Sequence, residues 1–413
     1  MMRKSMLALL LSALLLCVPL AGRCQEIDLA PTPAPAPAPA PLAPLSESPL
    51  LKAPPFHPAC AAVLLAEADS GQVVFQMNAG VPRPVASVTK LMTILLVLEA
   101  LDAGRLSPDR VVAVSEGAAG MGGSQVLLDV NERQTVDTLL KCMIVGSAND
   151  AAVALAEAMY GSEALCVDAM NRRAAELGMA DTCFANCTGL PAGGQRTTAR
   201  DVAVMARQVF AHPRYFDHAK VWMEDIDHGD GRVTQLVNTN KLLRLCDGCD
   251  GGKTGSTKEA GYCVCATAER AGMRLVAVVL GAESGKERFD IARQMLEYGF
   301  ANTQKYPVAR RGARVRGLLP VAGGEAEGVP LLLDGDLTLL VVRGDEQRVR
   351  LEPDLPDALP APVAAGQRVG FVRVLSGDRQ VARIPVVAAG AVPARRAGLP
   401  RILGRWPWME AAS

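Results

Sequence analysis

The segment from residue 87 to residue 100 constrains the fold more than any other, because it is apolar on nearly every face of a helix. Pro84 precedes it, and Asp102 and Gly104 follow it, as is typical of the two ends of a helix. A helix that is apolar all round is buried. The sequence therefore predicts a central helix around which the other elements of a domain pack.

Strand-like runs lie on both sides of this helix in the sequence. Residues 61–68 and 72–77 flank a turn at Asp69-Ser70-Gly71, which predicts a hairpin at the start of the folded part. Residues 262–268 and 274–282 flank a second short turn and predict two antiparallel neighbours.

Two further helical stretches cover residues 135–145 and 151–159, and a polar, turn-forming loop separates them. Helices in the middle and strands at both ends predict an α/β (α+β) domain with an antiparallel sheet and buried helices, which we place at residues 58–302. Beyond residue 305 the pattern changes to short β runs, so we expect a small all-β domain at residues 305–390. The four runs are residues 328–333, 337–342, 367–374 and 380–387.

Both ends of the chain have the composition of segments outside a folded domain. Arg3 and Lys4, followed by an apolar run and small residues, predict a signal peptide at residues 1–24, although an uncleaved signal anchor is an alternative. Residues 25–57 are rich in Pro and Ala and predict an extended linker. The tail, residues 391–413, combines arginines with two tryptophans, which suits peripheral contact with a membrane, while its prolines interrupt any long helix.

Composition excludes some partners and leaves one question open. The chain has 43 basic and 43 acidic residues, so its overall charge gives no support to nucleic acid as a partner. Nine of the 11 cysteines fall within residues 58–302. Cys246-x-x-Cys249 with Cys263-x-Cys265 suits a zinc site, but we favour one or two disulfides together with buried thiols.

Three short motifs carry the chemistry. They are Ser87-x-x-Lys90, Ser147-x-Asn149 and Lys253-Thr254-Gly255, in that order along the chain. Each is weak evidence alone, since a serine before a helix is often only a cap. Together they form the signature of serine enzymes that recognise penicillin.

Each motif suits a distinct step of acyl transfer. Ser87 and Lys90 are three residues apart on a helix, so the amine can accept the proton of an attacking hydroxyl. We assign Ser147 to proton relay and Asn149 to binding of a substrate amide. Lys253 and Thr254 suit a terminal carboxylate, and Gly255 allows the substrate backbone to approach closely.

The chain resembles the D-alanyl-D-alanine carboxypeptidases, which are low-molecular-mass penicillin-binding proteins. The resemblance extends around all three motifs, over residues 84–93, 147–152 and 250–262. It implies a penicillin-binding/β-lactamase-like catalytic fold, exported to the cell wall or the outer face of the cytoplasmic membrane. The expected reaction removes the terminal D-alanine from peptidoglycan stem peptides through an acyl-enzyme on Ser87, needs no metal or other cofactor, and is inhibited by β-lactam antibiotics.

The resemblance also implies two further binding roles. Backbone N–H groups of Ser87 and Ser256 are the expected oxyanion donors, and Arg200 is expected to help Lys253 hold the terminal carboxylate. The chain departs from the family pattern at Ala148, where glycine is usual.

Two other functions share parts of this pattern. A serine β-lactamase has all three motifs but needs a group that activates water, and no glutamate in the sequence is convincing for that task. A non-catalytic penicillin-sensing or wall-binding module would keep the pocket without turnover, and the intact Ser87, Lys90 and Lys253 count against it.

Overall fold

The structure, a computed structural model, describes residues 42–47 and 54–395. The predicted signal peptide, most of the predicted linker and the tail beyond residue 395 lie outside these residues. Within the described ranges, no helix is both long and apolar enough to cross a membrane.

Helices and strands are numbered in chain order. The strands are β1 (Ser46–Glu47), β2 (Ala62–Glu67), β3 (Gln72–Met77), β4 (Val111–Ala113), β5 (Arg133–Thr135), β6 (Met223–Asp227), β7 (Val233–Val237), β8 (Cys249–Thr257), β9 (Gly261–Arg270), β10 (Met273–Ala282), β11 (Thr303–Ala309), β12 (Arg314–Ala322), β13 (Gly328–Leu333), β14 (Leu337–Val342), β15 (Val349–Asp354), β16 (Leu359–Pro360), β17 (Arg368–Ser376) and β18 (Arg379–Ala388). The α-helices are α1 (Lys90–Asp102), α2 (Glu116–Ala119), α3 (Val136–Lys141), α4 (Asn149–Tyr160), α5 (Glu163–Glu176), α6 (Ala199–Phe210), α7 (Pro213–Ala219), α8 (Leu242–Leu245) and α9 (Gly285–Asn302).

The main sheet has six strands in the order β1-β3-β2-β10-β9-β8, and all neighbours are antiparallel except β1 and β3. Its strands alternate between two cores. Leu64 faces the core that contains α1, whereas Val63 and Leu65 face the core that contains α9. The sheet is therefore buried on both faces, as its continuous apolar runs require.

The central helix forms as predicted, with 11 of the 13 residues of α1 buried. A 3-10 turn, Ala86–Thr89, leads into it and carries Ser87. The loop of the second motif is built differently from the prediction, because α3 ends at Lys141 and continues as a π-helical turn, Cys142–Gly146. Ser147 then adopts a left-handed conformation (φ 61°), and α4 begins at Asn149.

Lys253-Thr254-Gly255 lie inside β8, and this strand precedes β9, the strand predicted to begin near residue 262. In the structure β8 is an edge strand that passes tightly against its neighbours, and a Cβ on Gly252 would lie 2.4 Å from the carbonyl oxygen of Cys265. Glycine is required here by close approach of backbones rather than by chain reversal.

The second domain contains the four predicted strands as β13, β14, β17 and β18. A six-stranded sheet has the order β15-β17-β18-β13-β12-β16, and β11 pairs with β14. Apolar residues from these strands, among them Val329, Val374 and Val386, form a separate core. This part of the chain is all-β, as predicted.

The cysteine prediction was right only in part. All nine cysteines of the described residues are free, and five of them, at positions 142, 166, 187, 263 and 265, are buried in the main core. The predicted disulfides are absent from the described part of the chain. That part also contains no group of three or more His, Cys, Asp or Glu residues able to hold a metal, so the zinc alternative finds no support.

A short piece of the predicted linker is bound to the sheet. β1 pairs with β3, and the backbone N–H of Ser46 donates to the carbonyl oxygen of Gly71 (3.0 Å). The buried guanidinium group of Arg207 donates to Ala43 O (2.7 Å) and also to Ala68 O and Asp69 O. Arg207 thus joins this segment to the turn between β2 and β3.

Candidate active site

Ser87 and Lys90 are brought together as the sequence predicts. Lys90 Nζ lies 2.9 Å from Ser87 Oγ, and the lysine side chain is fully buried. The amine also contacts Asn149 Oδ1 at 2.5 Å and the carbonyl oxygen of Thr188 at 2.7 Å. Burial lowers the pKa of Lys90 from 10.5 to about 7, although Cys187 and the carboxylate of Asp150 oppose that shift.

The side chain of Asn149 has protein partners at both ends. Its Oδ1 accepts from Lys90, and its Nδ2 donates to the carbonyl oxygen of Gly122 at 2.6 Å. The residue is only 2% exposed. This arrangement fits positioning of Lys90 better than the predicted binding of a substrate amide, because neither end of the side-chain amide is directed to solvent.

Ser147 contacts the second lysine rather than the first. Lys253 Nζ donates to Ser147 Oγ at 2.7 Å and to the carbonyl oxygen of Thr254 at 3.0 Å. Lys253 is 1% exposed, and its pKa is well below the usual value because of burial and the nearby charges of Lys90 and Arg288. Thr254 is buried, and its hydroxyl lies 2.8 Å from that of Thr239.

Gly255 and Ser256 continue β8 past the nucleophile. A Cβ on Gly255 would lie 2.8 Å from the backbone nitrogen of Ser87, so this strand runs directly against the start of the central helix. Ser256 is exposed and pairs with Tyr262 of β9. The two predicted oxyanion donors, the N–H groups of Ser87 and Ser256, therefore belong to segments in contact.

Arg200 is not brought to this cluster. Its Nη2 donates to Gln76 Oε1 at 2.9 Å, which places the guanidinium group beside β3. In the sheet order, β3 is four strands away from β8, which carries Lys253. The sequence motif at the start of α6 gave no information on which side of the sheet this arginine would reach.

A different cation lies beside β8. Arg288, in the first turn of α9, donates through Nη1 to the carbonyl oxygens of Gly255 (3.0 Å) and Cys263 (3.2 Å). Its buried Nε has no hydrogen-bond partner within the described residues. Sequence reasoning missed Arg288 because it lies 33 residues after Gly255 and has no motif around it.

Two more residues, Asp150 and Gly189, help to build the site, and the sequence alone does not indicate their roles. The buried carboxylate of Asp150 accepts from the backbone N–H groups of Val126 and Leu128, and so fixes the segment after Gly122. Gly189 packs against the turn that carries Ser87. A Cβ there would lie 2.0 Å from the carbonyl oxygen of Ala86, and Ala86 itself has a positive φ of 49°.

Comparison with known proteins agrees with this geometry. The family profile of D-alanyl-D-alanine carboxypeptidases matches residues 51–284, and that of the penicillin-binding protein 5 C-terminal domain matches residues 304–394. The chain belongs to the D-alanyl-D-alanine carboxypeptidase family. Members of this family are serine-type hydrolases and penicillin-binding proteins, and the predicted catalytic fold followed by an all-β domain is confirmed.

Individual relatives cover most of the chain. D-alanyl-D-alanine carboxypeptidase DacF of Bacillus subtilis is 36% identical over 355 residues, which are 85% of this chain and 90% of the relative. The crystal structure of penicillin binding protein 5 from Haemophilus influenzae has a TM-score of 0.74 at 28% identity and covers 82% of this chain and 99% of its own. Penicillin-Binding Protein D2 from Listeria monocytogenes, solved in an ampicillin-bound form, is 32% identical with a TM-score of 0.54 and covers 60% of this carboxypeptidase and 100% of its own chain.

Proposed function

We propose that the chain removes the terminal D-alanine from peptidoglycan pentapeptide stems through an acyl-enzyme on Ser87. The observation that carries this proposal is the contact between the Ser87 hydroxyl and the fully buried amine of Lys90, whose pKa is about 7. A base with a pKa near the working pH has both the right protonation state and useful basicity.

The contacts of Lys90 suit the neutral amine. A neutral amine has two N–H bonds, which match the acceptors Asn149 Oδ1 and Thr188 O. Its lone pair then faces the Ser87 hydroxyl at 2.9 Å. Ser87 Oγ attacks the carbonyl carbon of the penultimate D-alanine while its proton passes to Lys90, and the N–H groups of Ser87 and Ser256 bind the developing oxyanion.

Collapse of the tetrahedral intermediate breaks the C–N bond. The leaving D-alanine takes a proton from Lys90 or through Ser147, and an ester on Ser87 remains. Water then attacks the ester carbonyl and gives up a proton to Lys90, and Lys90 passes it to Ser87 Oγ as the ester C–O bond breaks and the shortened stem leaves. Ser87 and Lys90 thus regain their starting protonation states, and the proton that left with D-alanine is replaced by one from water.

The terminal carboxylate is the feature that makes the reaction a carboxypeptidase reaction. We assign its binding to Lys253 and Thr254 on β8, with Arg288 in place of the predicted Arg200. Burial, together with Lys90 and Arg288 nearby, disfavours the ammonium form of Lys253, and a carboxylate at this position favours it. The negative charge of the bound substrate carboxylate thus stabilises the ammonium form of Lys253.

Inhibition and location follow from the same proposal. A β-lactam carries a strained amide and a carboxylate, so we expect it to acylate Ser87, as the ampicillin-bound relative suggests.

We place the protein outside the cytoplasm, attached or close to the cell wall, because its substrate is there. Neither the serine β-lactamase nor the non-catalytic module is favoured over the carboxypeptidase.

Mass spectrometry of a pentapeptide ending in D-Ala-D-Ala tests the proposal. Incubation with the full protein should remove one alanine, and the Ser87→Ala variant should remove none. Labelling with a fluorescent penicillin should likewise require Ser87. Penicillin labelling without any loss of alanine would instead support a sensing module.

A further inference from the structure

A cleft with a volume of about 460 Å³ opens beside the nucleophile. Ala86 and Gly189, which lie against the turn that carries Ser87, form its inner end. Thr257 and Glu259, at the end of β8 and in the turn that follows, line another part of it. The cleft therefore adjoins both the nucleophile and the far end of the substrate-binding strand.

The direction of β8 decides which part of a substrate reaches this cleft. Along the strand, Lys253 and Thr254 come first, Gly255 lies against Ser87, and Thr257 and Glu259 follow. If the terminal carboxylate is at Lys253 and Thr254 and the scissile carbonyl is at Ser87, the preceding residues of the peptide extend towards Glu259. The cleft then receives the residue that precedes the two D-alanines.

The walls of the cleft are apolar or already hydrogen-bonded, except at one residue. Leu190, Pro191 and Ala192 form an apolar side. Gln195 Oε1 accepts from the N–H groups of Ala185 and Asn186.

The Thr257 hydroxyl accepts from the N–H of Ala260, so it too is bound within the protein. Glu259 is the one charged residue among those lining the cleft, is exposed, and makes no hydrogen bond or ion pair with any described residue. Of the cations nearby in sequence, Arg196 donates to the carbonyl oxygen of Gly194, and Lys258 is not part of the lining.

We propose that Glu259 selects a stem peptide whose residue before D-Ala-D-Ala has an aliphatic side chain ending in a primary ammonium group. This proposal rests on the proposed function. The methylene groups would cover Leu190 and Pro191, and the ammonium would pair with the Glu259 carboxylate at the open end. A neutral side-chain end leaves that carboxylate unpaired, and an anionic end is repelled by it.

Two tripeptides of nearly equal shape test the selection. Nα-acetyl-L-lysyl-D-alanyl-D-alanine carries the ammonium, and the same peptide acetylated also on Nε lacks it. Release of D-alanine by the full protein should show a kcat/KM about two- to fivefold higher for the ammonium peptide, mainly through KM, as expected for an exposed ion pair. The preference should shrink as salt is added.

Variants assign the effect to one residue. Glu259→Gln should abolish the preference, and Glu259→Lys should reverse it. Glu283→Gln is the matched control, since Glu283 is an exposed glutamate outside the cleft lining. Equal kcat/KM for the two peptides, or a preference that survives Glu259→Gln, would overturn the inference and leave the proposed function intact. Release of no alanine from either peptide would overturn both.

Discussion

The catalytic part of the chain and the C-terminal β domain differ in how many polar side chains they bury. Lys90, Asn149, Asp150 and Lys253 are buried at the catalytic site, each with hydrogen-bond partners. Beyond residue 303, Ser376 is the one buried polar side chain among the described residues, and the core there is otherwise apolar. Burial of charge costs free energy, so the two buried lysines beside Ser87 mark a place where chemistry, rather than stability, has determined the residues.

The largest effect expected from this contrast is the loss of acylation rate when the buried Lys90 is replaced. Lys90→Ala should slow acylation by a fluorescent penicillin about 100- to 10,000-fold, because the base is lost. Lys286→Ala should leave the rate unchanged, since that side chain is 85% exposed and, within residues 54–395, pairs with Asp290 alone. Stopped-flow or gel-based labelling measures both rates. A Lys90→Ala rate close to that of the native protein would mean that another group accepts the proton.

The next prediction concerns pH. With a Lys90 pKa of about 7, kcat/KM should rise about tenfold per pH unit below 7 and level off above it, because only the neutral amine is a base. Asn149→Asp places a negative charge beside the amine, which favours the ammonium and should move this limb to higher pH. Activity of the variant should therefore be low at pH 7 and recover partly at pH 9. Asn302→Asp, on α9, is the control and should keep the native profile.

Backbone packing beside the nucleophile predicts a smaller effect, on stability. Gly189→Ala should lower the free energy of unfolding by about 2–4 kcal/mol, because the residue has a φ of 85° and a Cβ would lie 2.0 Å from Ala86 O. Gly193→Ala, in the same loop, meets no atom within 4 Å and should change stability by less than about 1 kcal/mol. Urea denaturation compares the two. Equal midpoints would show that the loop moves to accept the methyl group.

The smallest effect belongs to the β domain. Arg373 and Glu352 face each other on β17 and β15 at 3.1 Å, and both side chains are 40% exposed or more. A double-mutant cycle with Arg373→Ala and Glu352→Ala should give a coupling of less than about 1 kcal/mol, with no change in D-alanine release. A coupling several times larger would show that polar pairs also contribute strongly in the β domain.

The parts predicted well from the sequence are those determined locally. Ser87 and Lys90 meet because residues three apart share a helical face, and the strands of the β domain are separated by turn residues such as Gly335 and Gly344. Lys253 with Ser147 could be expected to share a cleft, but not to form a hydrogen bond across 106 residues.

The parts predicted poorly depend on tertiary contact. The sequence motif gave Arg200 a role at the substrate carboxylate, yet its side chain is directed to β3, where it donates to Gln76. Arg288 reaches β8 only because α9 packs on the sheet. The glycines of β8 indicated close approach of another backbone, but the sequence gives no information about which backbone of the protein itself the strand will approach.

The binding of β1 to β3 determines where mechanical load would enter the protein. The segment that leads back towards the N-terminus leaves from one edge of the main sheet, and β8, which lines the cleft, is at the other edge. Five strand spacings, roughly 24 Å, separate the two edges. Tension on a tether would therefore fall on Arg207 and on the turn between β2 and β3, and the catalytic edge would be free to face the wall.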